Sequence, residues 1–230
     1  MSRAVLGFDT ATPDTVVALL APDGGCGEER HQPPAGERPG HAAQLLPLAE
    51  RVLAGGGGWE AVHLLAVGTG PGSFTGLRIG IATARALAQG RGLPLAGVST
   101  LRALAAAGAD EEPDSTVLAV LDARRGEAFA AAWQGDELVL EPAALAPEVL
   151  AEQAAGLGES VLAVGDGAVR FRDRLAPSGL TVPAEDSALH HVSGRHLCRL
   201  ATRAAQRPPE AVVPDYLRLP DAEIARRSRP

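Results

Sequence analysis

The amino-acid sequence predicts an α/β protein built in two parts, on three observations. Short apolar or β-branched runs alternate with longer stretches of helical periodicity, the order expected of strands and helices sharing a layered core. A series of strand pair, helix, strand, helix and strand fills the first half and returns, shortened, after the acidic stretch Asp110–Asp114, so the halves read as distant structural repeats. The length, 230 residues, is enough to bury one large core or two small ones. The boundary is placed at 106/107. An N-terminal domain covers 1–106 and a smaller one covers 107–230, with a helix over 187–206 packing back on the first.

"AVLGF" (Ala4–Phe8) and "TVVALLA" (Thr15–Ala21), separated by "DTATPD", predict a strand hairpin. Pro22–Gly40 is polar and breaker-rich, so it reads as a long loop or frayed strand pair. "HAAQLLPLAERVLAG" has helical periodicity, with Pro47 bending it or lying in its first turns. "VHLLAVG" predicts a strand, followed by the glycine loop "GTGPGSFTG" and a helix to Gly90. "LPLAGVST" and "LRALAAAGAD" add a strand and a helix. Beyond the boundary, "STVLAVLDARRGEAFAAAW" predicts two strands around a tight polar turn, and Ala143–Ala155 a helix. "SVLAVGDGAVRF" is a strand ending at glycines, with a short helix after it. The long helix over 187–206 takes its cap from Asp186 or Ser187, and the final "RRSRP" is expected to be disordered.

Composition excludes several chemistries. The net charge of −7 gives no broad basic surface for nucleic acid. All 21 basic residues are arginine, so a Walker A lysine and a Schiff-base amine are both ruled out. Arginine stays protonated and cannot substitute as a base. Cys26 and Cys198 are too few and too far apart for a zinc knuckle or disulfide framework. The N-terminal run is interrupted by Asp9 and is unlike a signal peptide, and no apolar run approaches spanning length. The cytoplasm is the expected location, with no membrane contact.

Candidate chemistry lies in the loops. Asp9, followed by Thr10, could hold magnesium beside a nucleotide or cap its own turn. Gly72 and Ser73 sit in a strand–glycine–helix context suited to an anion, and Gly165 and Gly167 in "GDGA" form a second, weaker anion loop. No base for Ser73 or Thr75 is near in sequence. His41 reads as a polar helix terminus or surface residue; His190, His191 and His196 share the last helix without zinc-ligand spacing. Gly76, Gly80, Ala84 and Ala88 recur every four residues. That stripe lacks bulk and lets another backbone approach, either the protein's own sheet or a partner helix. On the partner reading, Gly80→Leu should weaken association and leave the monomer folded.

Taken together, "GFDTAT", "GHAAQLLP", "GTGPGSFTGLRIGIATARALA", "GVSTLRALA", "DARRGEAFAA" and "PDYLR" resemble the bacterial TsaB family, also called YeaZ. The resemblance implies a two-domain actin-like (ASKHA, ribonuclease H-like) fold. It implies a non-catalytic partner and activator of a TsaD-type subunit, required to form N6-threonylcarbamoyladenosine next to the anticodon of tRNAs reading codons that begin with A. The partners implied are that subunit, a TsaE-type ATPase, and tRNA through the complex; a homodimer through the same helices is also compatible. No cofactor is required by this chain, ATP or ADP belongs to the complex, and any metal belongs to the catalytic partner. The family's pairing surface maps onto two helices here, at His41, Leu45, Leu46, Ala49, Leu53, Gly76, Gly80, Ala84 and Arg85. TsaD-like proteins carry a metal-binding H-x-x-x-H after the glycine-rich helix; this chain has "GVSTLRALAAAG" there, with no histidine. Arg124, Arg125 and Arg226, Arg227 and Arg229 of the tail are candidates for direct tRNA contact. The rival reading is an ATP-dependent phosphotransferase or ATPase of the actin and hexokinase architecture, using Asp9 and the two glycine loops.

Overall fold

A computed structural model describes residues 4–34 and 36–218. Strands β1 (Ala4–Asp9) and β2 (Thr15–Leu20) are buried along their whole length, as continuous apolar runs in mid-sheet should be. They pair antiparallel, and β2 pairs in turn with β3 (Cys26–His31). Thus Pro22–Gly40 contains an edge strand whose sequence, "CGEERH", is polar because it faces water. On the other side β1 runs parallel to β4 (Val62–Gly70), and β4 to β5 (Leu95–Ser99), completing the order β3-β2-β1-β4-β5.

The second sheet repeats this plan without a fifth strand. Its β6 (Thr116–Arg124), β7 (Glu127–Gln134) and β8 (Glu137–Leu145) form an antiparallel meander, and β9 (Val161–Val164) pairs parallel to β6. β8 departs from the sequence reading. Ala143–Leu145 belongs to this strand, and the helix starts only at Pro147. Pro142 is tolerated because β8 is an edge strand.

Helices α1 (His41–Gly55) and α2 (Phe74–Arg91) cover one face of the first sheet, over a core including Phe8, Leu48, Leu65 and Ile81. Pro47 lies within α1 on its exposed side. α3 (Thr100–Glu111) serves both sheets: Ala103 packs with the first, while Leu101, Leu104 and Ala105 pack with the second. The 106/107 boundary therefore falls inside a shared helix. Short helices α4 (Pro147–Ala154), α5 (Asp166–Arg170) and α6 (Arg172–Leu175) cover the second sheet's other face.

The helix expected over 187–206 is two pieces. Ser187 caps a single 3-10 turn over Ala188–His190, and α7 (Gly194–Arg203) starts afresh with Ser193 accepting from the His196 amide. Two serine caps in succession redirect the chain between them, so only His196 of the three histidines lies on α7. α7 packs on the first sheet through Leu197, Cys198 and Ala201. The tail arginines Arg226, Arg227 and Arg229, and the "RRSRP" expected to be disordered, lie outside the described residues.

Candidate functional site

The β1–β2 turn and the glycine loop before α2 are locked together. Asp9 is 1% exposed. Its Oδ1 accepts the Ala11 amide at 2.6 Å and its Oδ2 accepts the Thr100 hydroxyl at 2.7 Å. Burial pushes its carboxyl above the ordinary range, against the pull of those two hydrogen bonds. The carboxylate is the turn's cap and does not line the cleft beside it. The Thr10 hydroxyl donates to the Gly76 carbonyl at 2.8 Å, and the Ser73 amide donates to Ala11 at 2.7 Å. Ser73 Oγ accepts the Gly76 amide, capping α2. A side chain at Gly72 would run into the Ala11 carbonyl. The loop is glycine-rich because two backbones cross there, and the Ser73 amide is already engaged within the chain.

A cleft of about 550 Å³ separates the two sheets. Thr12, Ser73 and Thr75 face it from the first part, and Asp122, Arg124 and Asp166 from the second. Asp166 accepts the Asp122 amide at 3.0 Å; burial raises its pKa, and the neighbouring Asp122 charge adds to the rise. Asp122 is held by ion pairs from Arg124 at 3.5 Å and Arg170 at 3.4 Å. Arg124 and Arg125 make the β6–β7 turn at positive φ, 65° and 56°, a costly region for non-glycine residues. The "GDGA" glycines, read from sequence as an anion loop, have a packing role. A side chain at Gly165 would overlap the Val120 carbonyl, and one at Gly167 would lie 2.7 Å from the Leu121 carbonyl carbon. They let α5 press against β6, and the Gly165 amide faces His190 Nδ1 at 3.2 Å.

The small-residue stripe of α2 faces inward, which corrects its reading as a partner contact. Gly76, Gly80 and Ala84 are buried in this chain's own fold, and side chains at either glycine would collide with Thr10. Leu45, Ala49 and Leu53 are likewise core residues of α1. His41 is no surface residue: it is 3% exposed, its Nδ1 lies 2.8 Å from the Thr15 hydroxyl, and burial lowers its pKa. Leu46 alone of the larger apolar residues named is exposed, at 47%. The outward sides of the two neighbouring helices carry Ala42, Ala43, Leu46 and Pro47 on α1, and Ile79, Ala82 and Ala86 on α2.

Arg85, also expected at a partner surface, holds the chain's own C-terminal segment. Its guanidinium donates to the Val212 carbonyl at 2.6 and 3.0 Å and to Glu210 at 3.0 Å. This segment pairs Arg207 with Leu95, buries Val212 and donates the Asp215 amide to Thr69 at 2.7 Å. Tyr216 meets Phe74 with ring centroids 5.2 Å apart, and Arg218 crosses to Glu127 of the second sheet at 2.7 Å. Sequence reading missed this strap because an irregular segment has no periodicity to betray it; the apolar "AVV" before "PDYLR" was the one available signal. Among the described residues, no cluster of three His, Cys, Asp or Glu side chains is placed to hold a metal. None of their helices is long and apolar enough to cross a membrane.

Two similar sheets facing across a cleft, each a meander extended by parallel pairing, define the actin-like class of α/β proteins. The same fold is seen at 13% identity and a TM-score of 0.51 in the ROK hexokinase of Thermus thermophilus, over 89% of this chain and 98% of that one. The family model described as TsaD, tRNA N6-adenosine threonylcarbamoyltransferase, matches residues 33–226. The Escherichia coli K12 protein named tRNA threonylcarbamoyladenosine biosynthesis protein TsaB is 36% identical over 184 residues, 77% of this chain and 78% of that one. A Pseudomonas aeruginosa crystal structure, described as similar to peptidase YEAZ, superposes with a TM-score of 0.78 at 31% identity, over 94% of this chain and all of that one. The chain belongs to the TsaB (YeaZ) family.

Proposed function

We propose that this chain takes part in threonylcarbamoyladenosine formation on tRNA as the non-catalytic partner and activator of a TsaD-type subunit, in the cytoplasm. The observation that carries this reading is the outward surface of α1 and α2. Two adjacent helices present Ala42, Ala43, Leu46, Pro47, Ala82 and Ala86 to solvent, a strip of little bulk with exposed Glu50 and Arg78 beside it. Small side chains allow a facing helix pair to approach closely. Contact is made by this outer strip, while the buried glycine stripe keeps the helices flat on their own sheet. A homodimer would use the same strip when the partner is absent. Nucleotide turnover and any metal belong to the TsaD-type and TsaE-type subunits, and tRNA is engaged through the complex.

Co-purification with the TsaD-type subunit of the same organism tests the pairing. Leu46→Asp together with Ala82→Asp should leave the fold intact, since both positions are exposed, and weaken association at least about tenfold by desolvating unpaired charge. Undiminished pairing by the double variant, or tRNA modification by the isolated chain, would overturn the reading. The phosphotransferase alternative has only the cleft in its favour; it requires Mg-ATP turnover by the isolated chain, which a phosphate-release assay measures.

A further inference from the structure

On the side of the first sheet away from α1 and α2, α7 carries Arg195, Arg199 and Arg203 at four-residue spacing. Between α7, α3 and the β7–β8 turn lies a second cavity, of about 180 Å³. Arg102, Arg199, Arg203 and His196 line it together with Asp110 and Asp136. The two carboxylates hold the cations in place. Asp110 Oδ2 accepts Arg199 Nη1 at 2.6 Å and stands 3.1 Å from His196 Nε2. Asp136 accepts Arg102 Nη2 and lies 3.9 Å from Arg203 Nη1, too far for a hydrogen bond.

Three guanidinium groups thus converge on two carboxylates, leaving one positive charge unmatched in a protein whose net charge is −7. Hydrogen-bonding capacity is left over too. Arg102, its guanidinium carbon 5.4 Å from the Trp133 ring centroid and its Nη1 buried, turns Nη2 to Asp136. Arg203 is 73% exposed, with the 3.9 Å ion pair as its guanidinium contact.

We propose that this pocket binds a phosphate group. Guanidinium forks match tetrahedral oxyanions, donating to several oxygens at once. A cavity of 180 Å³ is below the roughly 300–1,000 Å³ of sites for drug-sized ligands, so it suits one phosphate and excludes a whole nucleotide. The group is supplied either by free phosphate or by an RNA backbone, and the two sources separate experimentally.

Inorganic phosphate is titrated calorimetrically into the full chain at constant ionic strength, and binding of a tRNA transcript is measured in parallel. Saturable phosphate binding is expected, weakened about tenfold in the Arg199→Gln/Arg203→Gln double variant with Tm in chloride nearly unchanged. Arg203→Gln alone, which removes no hydrogen bond, should weaken it in the same direction and guards against a structural effect of Arg199. Loss of tRNA affinity in the same variants assigns the phosphate to RNA; phosphate binding with unaltered tRNA affinity assigns it to the free ion. If neither ligand distinguishes wild type from double variant, the proposal is wrong. The phosphate titration needs no second protein, so its outcome is independent of the pairing role.

Discussion

Thr10 and Gly76 fasten the first hairpin to the second helix in two ways at once. The Thr10 hydroxyl donates to the Gly76 carbonyl at 2.8 Å, and the Thr10 carbonyl occupies the space a side chain at 76 would need. Gly80, one turn on, faces the same hydroxyl. A β-turn is seated in a groove that two missing side chains leave on α2.

Gly76→Ala and Gly80→Ala should therefore differ. Both gain about 1 kcal/mol of helix propensity. At 76 the new methyl meets the Thr10 carbonyl, fixed backbone, whereas at 80 it meets the Thr10 hydroxyl, which can turn away only by giving up its bond to Gly76. Overpacking costs about 1–3 kcal/mol, so both should be destabilising, Gly76→Ala by about 2 kcal/mol and Gly80→Ala by about 1 kcal/mol, since displacing the Thr10 hydroxyl gives up its bond to Gly76. Gly80→Leu should unfold or severely weaken the monomer, the reverse of what the stripe alone suggests. Urea midpoints decide the order, and equal midpoints for the two alanine variants would contradict it.

Thr100→Val should leave Asp9 Oδ2 buried without its 2.7 Å donor. An unsatisfied buried acceptor costs about 1–3 kcal/mol. Losing a bond to the carboxylate raises further a pKa that burial already raises. A raised carboxyl means that the native state binds the extra proton, so stability rises as pH falls from the folded pKa toward the unfolded one. The variant's deficit should shrink as pH falls through the raised folded pKa toward the unfolded one, as measured by urea unfolding across a pH series. A deficit that grows on acidification would refute the assignment.

Arg85→Ala should release the C-terminal strap while leaving the sheets intact. Three donor contacts to Glu210 and Val212 disappear, worth about 1–3 kcal/mol locally. Hydrogen exchange should report it first at the Asp215 amide, bonded to Thr69 at 2.7 Å, with β1 and β4 amides unchanged. Unaltered protection at Asp215 would mean that Val212 burial and the Arg207–Leu95 bridge hold the strap unaided.

What the sequence made legible follows from which interactions are local. β1, β2 and β4 declare themselves as apolar runs, and the two sheets as a repeated order of elements. The spacing of Gly76, Gly80 and Ala84 shows that they share a face, but periodicity carries no information about which neighbour fills it. That neighbour is Thr10, 66 residues away from Gly76. His41 reads as polar and exposed in the sequence because its partner, Thr15, belongs to β2, 26 residues away. β8 went unread because its pattern is broken by Pro142, and pairing with β7 is what makes it a strand. The contact expectation named residues from both sides of α1, and burial separates them: Leu46 is outward, its neighbours Leu45 and Ala49 inward.

Asp14 gives the last prediction, and its sign is opposite to that of Asp9. It lies at the end of the β1–β2 turn, accepting Arg30 Nη1 at 3.1 Å and standing 2.8 Å from His191 Nδ1. Burial alone would raise its pKa, but the hydrogen bond and charge of His191, with Arg30, outweigh it and hold the carboxyl below the ordinary range. A depressed carboxyl contributes stability that is present above the unfolded pKa, about 3.9, and is lost as pH falls through the lower folded value. Asp14→Asn keeps the shape and removes the charge, so it should cost about 1–2 kcal/mol near pH 6, allowing for partial solvent screening. The gap between wild type and variant should then close below about pH 4 as the wild-type carboxyl takes up its proton. Urea unfolding of both proteins from pH 6 to pH 3 measures the gap, and one that stays constant over that range would show that the anchoring of the 188–193 segment does not depend on the Asp14 charge.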